Sequence, residues 1–166
     1  MDDIKNILTK QEEMLRFDKF NHEEAFKLGC FMAEYAKKKG ITIAISIRMN
    51  NGNNIFQYCP DGTNMLNEKW MTRKFNTVCL MERSSLMSKI AWMEEGCDTK
   101  THGLAQNEYA LCGGGFPVRL KNHDNVIGVI ITSNLYHVAD HDFTIDCLKE
   151  YLHEYDVPMI ATDCEI

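Results

Sequence analysis

The sequence predicts an α/β fold of the α+β kind, an antiparallel sheet with helices packed on it. Two observations carry this expectation. Residues 41–49 alternate strictly, with Ile41, Ile43, Ile45, Ile47 and Met49 on one face, and run into Asn51-Gly52. That is a period-2 strand followed by the strongest short hairpin signal. Further on, Val126-Ile127-Gly128-Val129-Ile130-Ile131 is the most apolar run in the chain, and a second strand-like segment at 116–121 precedes it. Hairpins on either side of a helical insertion do not make the βαβ alternation of a parallel sheet.

The elements follow in order. Residues 3–18 read as a helix, because Ile4, Ile7, Leu8, Gln11 and Leu15 share one stripe. That stripe can pack on its own domain, the favoured reading, or on a neighbouring subunit. Asn21, with Glu24 three residues on, is a variant capping box opening a helix to Lys39. Ala25, Leu28, Gly29, Met32, Tyr35 and Ala36 form its inward face, and Gly40 is its left-handed stop. Gly29, inside the helix, marks a close approach by a neighbour. A two-residue turn at Asn51-Gly52 then places Ile47 opposite Phe56 and Ile45 opposite Tyr58.

Asn64 or Asn67 caps a helix to about Met81, and Ser84-Ser85 caps another that ends at Gly96. Residues 97–106 have no clean period and read as an exposed loop. With His123-Asp124 as a tight turn, Leu120 pairs with Ile127, Val118 with Val129 and Phe116 with Ile131. The run at 126–131 implies burial on both faces, so that strand is internal to the sheet. Asp140 is read as the N-cap of a final helix carrying Cys147, Leu148, Tyr151, Leu152 and Tyr155, closed by Pro158. This order is the layout of PAS, GAF and profilin-like domains, which bind small ligands or mediate assembly.

Composition bounds the function. A chain of 166 residues, 45% hydrophobic, is expected to form a single domain (1–166) with residues 1–20 as an N-terminal helix. The net charge of −6 argues against nucleic acid or an anionic membrane as partner. No apolar run approaches the roughly 20 residues that span a bilayer. The N-terminus lacks a signal-peptide layout, so a cytoplasmic location is expected. Seven cysteines without a Cys-x-x-Cys pair suggest reduced thiols rather than a disulfide framework or a zinc site of standard spacing.

Several residues carry candidate chemistry, each beside a plainer reading. Gly113-Gly114-Gly115 can bring backbone N–H groups to a ligand, or simply bend the chain into the strand at Phe116. It lacks the spacing of a nucleotide-binding loop. Cys112 is a possible thiolate or a buried structural thiol. Arg73 and Lys74, beside Trp70, can meet a carboxylate or form a solvated helix face. His137 and His141 have metal-ligand spacing only if one helix carries both, and the helix is expected to start after His137. His141 remains a candidate haem ligand or acid/base group.

Taken together, Trp70-Met71-Thr72-Arg73-Lys74, Glu108-Tyr109-Ala110, Gly113-Gly114-Gly115-Phe116-Pro117-Val118 and Asp140-His141 resemble the haem-degrading domain family, the HbpS/GlcG-like group, in its UPF-designated branch. The resemblance spans most of the chain. It implies a PAS-like sandwich and a homo-oligomer built from dimers. It also implies a small-molecule ligand, haem or a relative, with Trp70, Arg73, Lys74, Tyr109, Cys112, Gly113, Gly114 and His141 as the ligand-binding set. Two positions depart from the branch: Cys112 stands where it carries His, and Asn134 where it carries Gly in Ser-Gly-Leu. The readings left open are a ligand-binding protein, an assembly module with a vestigial cleft, and a haem-cleaving or redox enzyme using Cys112 or His141.

Overall fold

The computed structural model describes residues 2–160 of the chain. Cys164 and the end of the expected domain lie outside that range. Helices α1 (Asp2–Met14) and α2 (His22–Lys39) precede the hairpin β1 (Ala44–Met49) and β2 (Asn54–Tyr58). Helices α3 (Met65–Met81) and α4 (Ser85–Glu94) lead to β3 (Gly115–Val118), β4 (Gly128–Ser133) and α5 (His137–Leu152). The sheet is four-stranded, in the order β2-β1-β4-β3, with all pairs antiparallel. The expected α+β class with an antiparallel sheet flanked by helices is the observed one.

Local signals place most boundaries. The Asn21 side chain accepts from Glu24 N–H, and Gly40 closes α2 in the left-handed region at φ 67°. Both asparagines proposed for α3 take part in its start. Asn64 is the N-cap, and the Asn67 side chain accepts from the Asn64 N–H in a reciprocal capping box. Gly29 has no side chain because the Phe56 ring occupies the space: a Cβ there would lie 2.2 Å from it. Helix α1 is shorter than expected, because the chain past Met14 leaves the helix and Phe17 forms a bridge with Leu120. Its Leu8 packs with Leu86, Ile90 and Val138, so the stripe is used within the chain.

The sheet lies between two helical layers. Ile45, Ile47, Phe116, Val118 and Ile130 face α2 and α5. Ala44, Val129 and Ile131 face Met71, Phe75 and Val78 of α3. Strand β1 is therefore buried on both faces, although its alternation suggested one. The second face carries Ser46 and Arg48, and α3 supplies partners that make burial of the guanidinium tolerable: Thr72 Oγ1 at 3.0 Å and Glu68 Oε1 at 2.8 Å.

Two registers were expected from turns, with different outcomes. Ile45 pairs with Tyr58 and Ile47 with Phe56, as read from the sequence. The turn itself is longer: Met49 N–H donates to Asn53 O, and a bulge between Ile47 and Arg48 restores the register. In the second hairpin, Phe116 pairs with Ile130 and Val118 with Gly128, one residue away from the expected register. No tight turn at His123-Asp124 governs it. Both strands stop early, Leu120 turns aside to Phe17, and burial of Phe116 with Ile130 on the α2/α5 side decides the pairing. Strand β4 is internal and fully buried, as expected, whereas β3 lies at the edge of the sheet.

Helix α5 departs most from expectation. It begins at His137, its N-cap is Tyr136, and Asp140 sits inside the first turn. It ends at Leu152 with His153 in the left-handed region, ahead of Pro158, and Tyr155 is exposed. One turn along, Asp142 is half-buried and its Oδ1 has no hydrogen-bond partner. Burial, and then the Asp146 carboxylate, push its pKa from 3.8 up to about 6. The native state thus favours protonated Asp142. That stabilisation is complete below about pH 4 and lost as the pH rises through about 6. Asp142→Asn is expected to be more stable than the parent at pH 7 by about 1 kcal/mol, after allowance for partial exposure, and equal to it near pH 4. Urea denaturation at the two pH values checks this, and a gap of the same size at both would refute it.

Candidate functional site

A cleft of about 340 Å³ opens between α3, the end of β4 and the start of α5. Leu66, Asn67, Trp70 and Lys74 line it from α3, and Ser133, Asn134 and Leu135 from the β4–α5 junction. His137 and Asp140 of α5 and Cys112 from the glycine-rich segment complete the wall. Turns of α3 present positions 66–67, 70 and 74 on one side, which explains how one helix supplies an indole, an amide and an ammonium to one space.

The polar floor is an ion pair. Lys74 Nζ lies 2.7 Å from Asp140 Oδ2 and donates to Thr132 O at 2.7 Å. Both side chains are only 3% exposed. Asp140 Oδ1 also accepts from Leu135 N–H at 2.9 Å, so the carboxylate braces the chain entering α5 instead of capping the helix. Loss of hydration raises the Asp140 pKa above its ordinary 3.8, with Lys74 pulling it back. Lys74 is therefore committed inside the protein and is not an exposed cation awaiting an anionic ligand.

Arg73, one residue earlier, points elsewhere. Its guanidinium stacks over Trp70 at 4.1 Å and donates to Tyr109 O at 3.3 Å. Arg73 and Tyr109 line a smaller depression, of about 260 Å³, beside the cleft. Cys112 reaches the cleft, but burial pushes its thiol pKa above 9.0, the nearby Lys74 ammonium notwithstanding, so it stays protonated at neutral pH.

The glycines serve packing. A Cβ on Gly113 would lie 2.1 Å from His137 O, and one on Gly114, at φ 106°, would lie 2.6 Å from Thr132 O. They let this segment pass against β4 and the first turn of α5, and they stand behind the cleft wall. His141 does not reach the cleft. It is fully buried, its Nε2 lies 2.9 Å from Gln11 Oε1, and burial lowers its pKa to about 3. A neutral, enclosed imidazole offers neither an acid/base group nor a haem ligand to the cleft. His137 lines the cleft instead, since α5 starts one turn earlier than expected. Its ring sits with Nδ1 3.4 Å from Gly113 N and Nε2 3.2 Å from Lys89 Nζ.

Of the expected set, the structure brings Trp70, Lys74 and Cys112 into the cleft, puts Arg73 and Tyr109 at its flank and sets Gly113 and Gly114 behind it. Sequence reading missed Leu66, Asn67, Ser133, Asn134, Leu135, His137 and Asp140 as cleft residues. Asn134 carried a signal, since the resemblance led us to expect a glycine there, and its φ is 142°. Its amide donates to Thr42 O at 2.9 Å and its Oδ1 accepts from Asn67 at 3.2 Å, which holds the strained backbone in place.

Comparisons with known proteins agree with this architecture. The sequence pattern of the family described as haem degrading protein HbpS-like matches residues 20–149. A UPF0303 protein of Paraburkholderia phytofirmans is 36% identical over 157 residues, covering 93% of this chain and 94% of the relative. The crystal structure of the Ybr137w protein superposes with a TM-score of 0.83 at 22% identity, covering 90% of this chain and 88% of that one. PduOC, solved as a heme complex, superposes with a TM-score of 0.63 at 14% identity, covering 78% and 92%. At such identities the solved structures speak for the fold alone. The family pattern and the close sequence relative go further: this chain belongs to the HbpS-like haem-degrading protein family, in its UPF0303 branch.

Proposed function

We propose that the cleft binds a small planar ligand with an apolar face, haem or a related molecule, and that the protein works as a cytosolic, self-associating binding protein. The observation that carries this reading is the lining. Trp70, Leu66 and Leu135 offer apolar surface, Cys112 and His137 offer the thiol and imidazole types that hold haem iron, and the Asn67 and Asn134 amides, bonded to each other, fix the wall between them. The donor set therefore fits the group that the family implies. Trp70, Leu66 and Leu135 would take the macrocycle, and the iron would go to His137, once its Nε2 leaves the Lys89 ammonium, or to Cys112, once its thiol gives up its proton. When bound, haem supplies the iron-centred redox chemistry. The cavity is at the small end of ligand sites, so a tetrapyrrole would be held with part of it outside.

Met65, Leu66 and Tyr136 are 69%, 64% and 59% exposed near the cleft mouth, which supports self-association there. No helix among the described residues is long and apolar enough to cross a membrane.

Titration of the purified protein with haem tests the reading. A Soret shift is expected at micromolar haem. Trp70→Ala is expected to weaken binding about tenfold, roughly 1.4 kcal/mol. His137→Ala or Cys112→Ala is expected to change the band, and His141→Ala to leave its position unaltered. Absence of any shift at micromolar haem would leave the assembly module as the better reading. Light scattering on the same samples checks the assembly, and a strict monomer at tens of micromolar would contradict it.

A further inference from the structure

The segment after α4 brings together three side chains that the cleft does not use. Gly96, at φ 66°, reverses the chain, and Cys97 N–H donates back to Trp92 O at 2.8 Å. Asp98 then accepts from Thr101 N–H and Oγ1, both at 2.9 Å, and Leu104 N–H returns to Thr99 O at 2.8 Å. Thr99, 6% exposed, anchors this turn to the body of the protein. The effect is to fold His102 back over the end of α4, where its ring stacks on the buried Trp92 at 4.2 Å and 28°. One carboxylate oxygen of Glu95, the Cys97 sulfur and one ring nitrogen of His102 then lie within 4.8 Å of one another.

We propose that Glu95, Cys97 and His102 form a site for a divalent transition metal, zinc or a borderline-soft relative, bound through carboxylate, thiolate and imidazole with water in the fourth position. The donor types decide the metal class. A thiolate and an imidazole together select against magnesium and calcium, which take oxygen ligands, and suit zinc or cobalt. Bonds of about 2.0–2.3 Å put tetrahedral ligand atoms roughly 3.3–3.8 Å apart. Small rotations of the exposed Glu95 and half-buried Cys97 side chains close the remaining distance, while the Trp92 stack holds the imidazole. Binding exchanges the thiol proton for the metal and releases it to solvent, and the two anionic ligands balance the dication. The spacing, Glu-x-Cys followed by His five residues on, is not a standard zinc motif and is invisible without the turn that folds it.

The site sits at the start of the segment that continues to Tyr109 and Cys112. Glu108 O accepts from Asn76 at 2.8 Å, and Tyr109 O holds Arg73. A metal at residues 95–102 thus ties down the start of this segment, where Asp98 and Thr99 share a depression with Arg73 and Tyr109.

Titrating the full-length, reduced protein with cobalt(II) tests the site without reference to haem. The expected result is a thiolate-to-cobalt charge-transfer band and visible tetrahedral bands saturating near one equivalent, displaced by zinc. Cys97→Ser is expected to abolish the charge-transfer band, His102→Gln to weaken cobalt binding at least about tenfold, and Cys59→Ser, at the exposed thiol, to keep the band. Zinc is also expected to raise the melting temperature of the parent and of neither site variant, with far-ultraviolet circular dichroism confirming that each variant folds. No charge-transfer band, or a band that survives Cys97→Ser, overturns the proposal.

Discussion

Asp140→Ala is expected to destabilise the protein by about 3–5 kcal/mol, because it strands the Lys74 ammonium in a site that is 3% exposed. The alanine cannot accept from Lys74 Nζ or from Leu135 N–H, so a buried cation loses its counter-charge, keeping only the Thr132 carbonyl, and a backbone donor loses its partner. Lys74→Met alone is expected to cost a similar amount, since it leaves an unpaired carboxylate whose pKa burial already raises. The double variant Lys74→Met/Asp140→Leu is expected to recover most of the loss, as apolar replacement of a whole buried pair is often neutral. Urea denaturation of the four proteins closes the cycle. A coupling energy below about 0.5 kcal/mol would mean that the two groups act independently. The double variant also separates stability from binding, because it keeps Trp70, Cys112 and His137 while removing the polar floor of the cleft.

Gly113→Ala is the second large effect, expected to cost about 3 kcal/mol or more. Its Cβ would lie 2.1 Å from His137 O, which is backbone and cannot swing away. Relief requires the start of α5 to move off the segment at 112–115, and His137 and Asp140 move with it. Haem binding is therefore expected to weaken beyond what the stability loss explains. Gly114→Ala adds strain at φ 106° to a contact of 2.6 Å with Thr132 O. By contrast, Gly103→Ala meets no atom within 4 Å, and its cost is the left-handed backbone at φ 70° alone, about 1 kcal/mol. Thermal unfolding of the three variants ranks them, and a Gly113→Ala protein as stable as Gly103→Ala would contradict the packing role of the glycines.

Much of the fold is legible in the chain because its signals are local. Asn21 with Glu24, Asn64 with Asn67, Ser84 and Gly40 mark helix ends through hydrogen bonds that span a few residues. The alternation at 41–49 and the apolar run at 126–131 locate two strands, and the second is internal as its composition requires. The first hairpin pairs as read, since its large side chains had one face to occupy. The family, too, is readable from motif order along the sequence.

What the tertiary structure alone decided is whatever depends on partners distant in sequence. The register of β3 on β4 slipped by one residue because the connection is a long loop, so burial of Phe116 with Ile130, not a turn, chose the pairing. Asp140 has the composition of an N-cap, but Lys74, on another helix, claims one oxygen and the chain before the helix takes the other. Moving the start of α5 back to His137 exchanged the two histidines: His141 went into the core against Gln11, and His137 came to the cleft. Sequence identifies which groups are able to do chemistry. Their burial, pairing and protonation follow from the elements that close around them, and those elements come from positions too far apart for any local pattern to join.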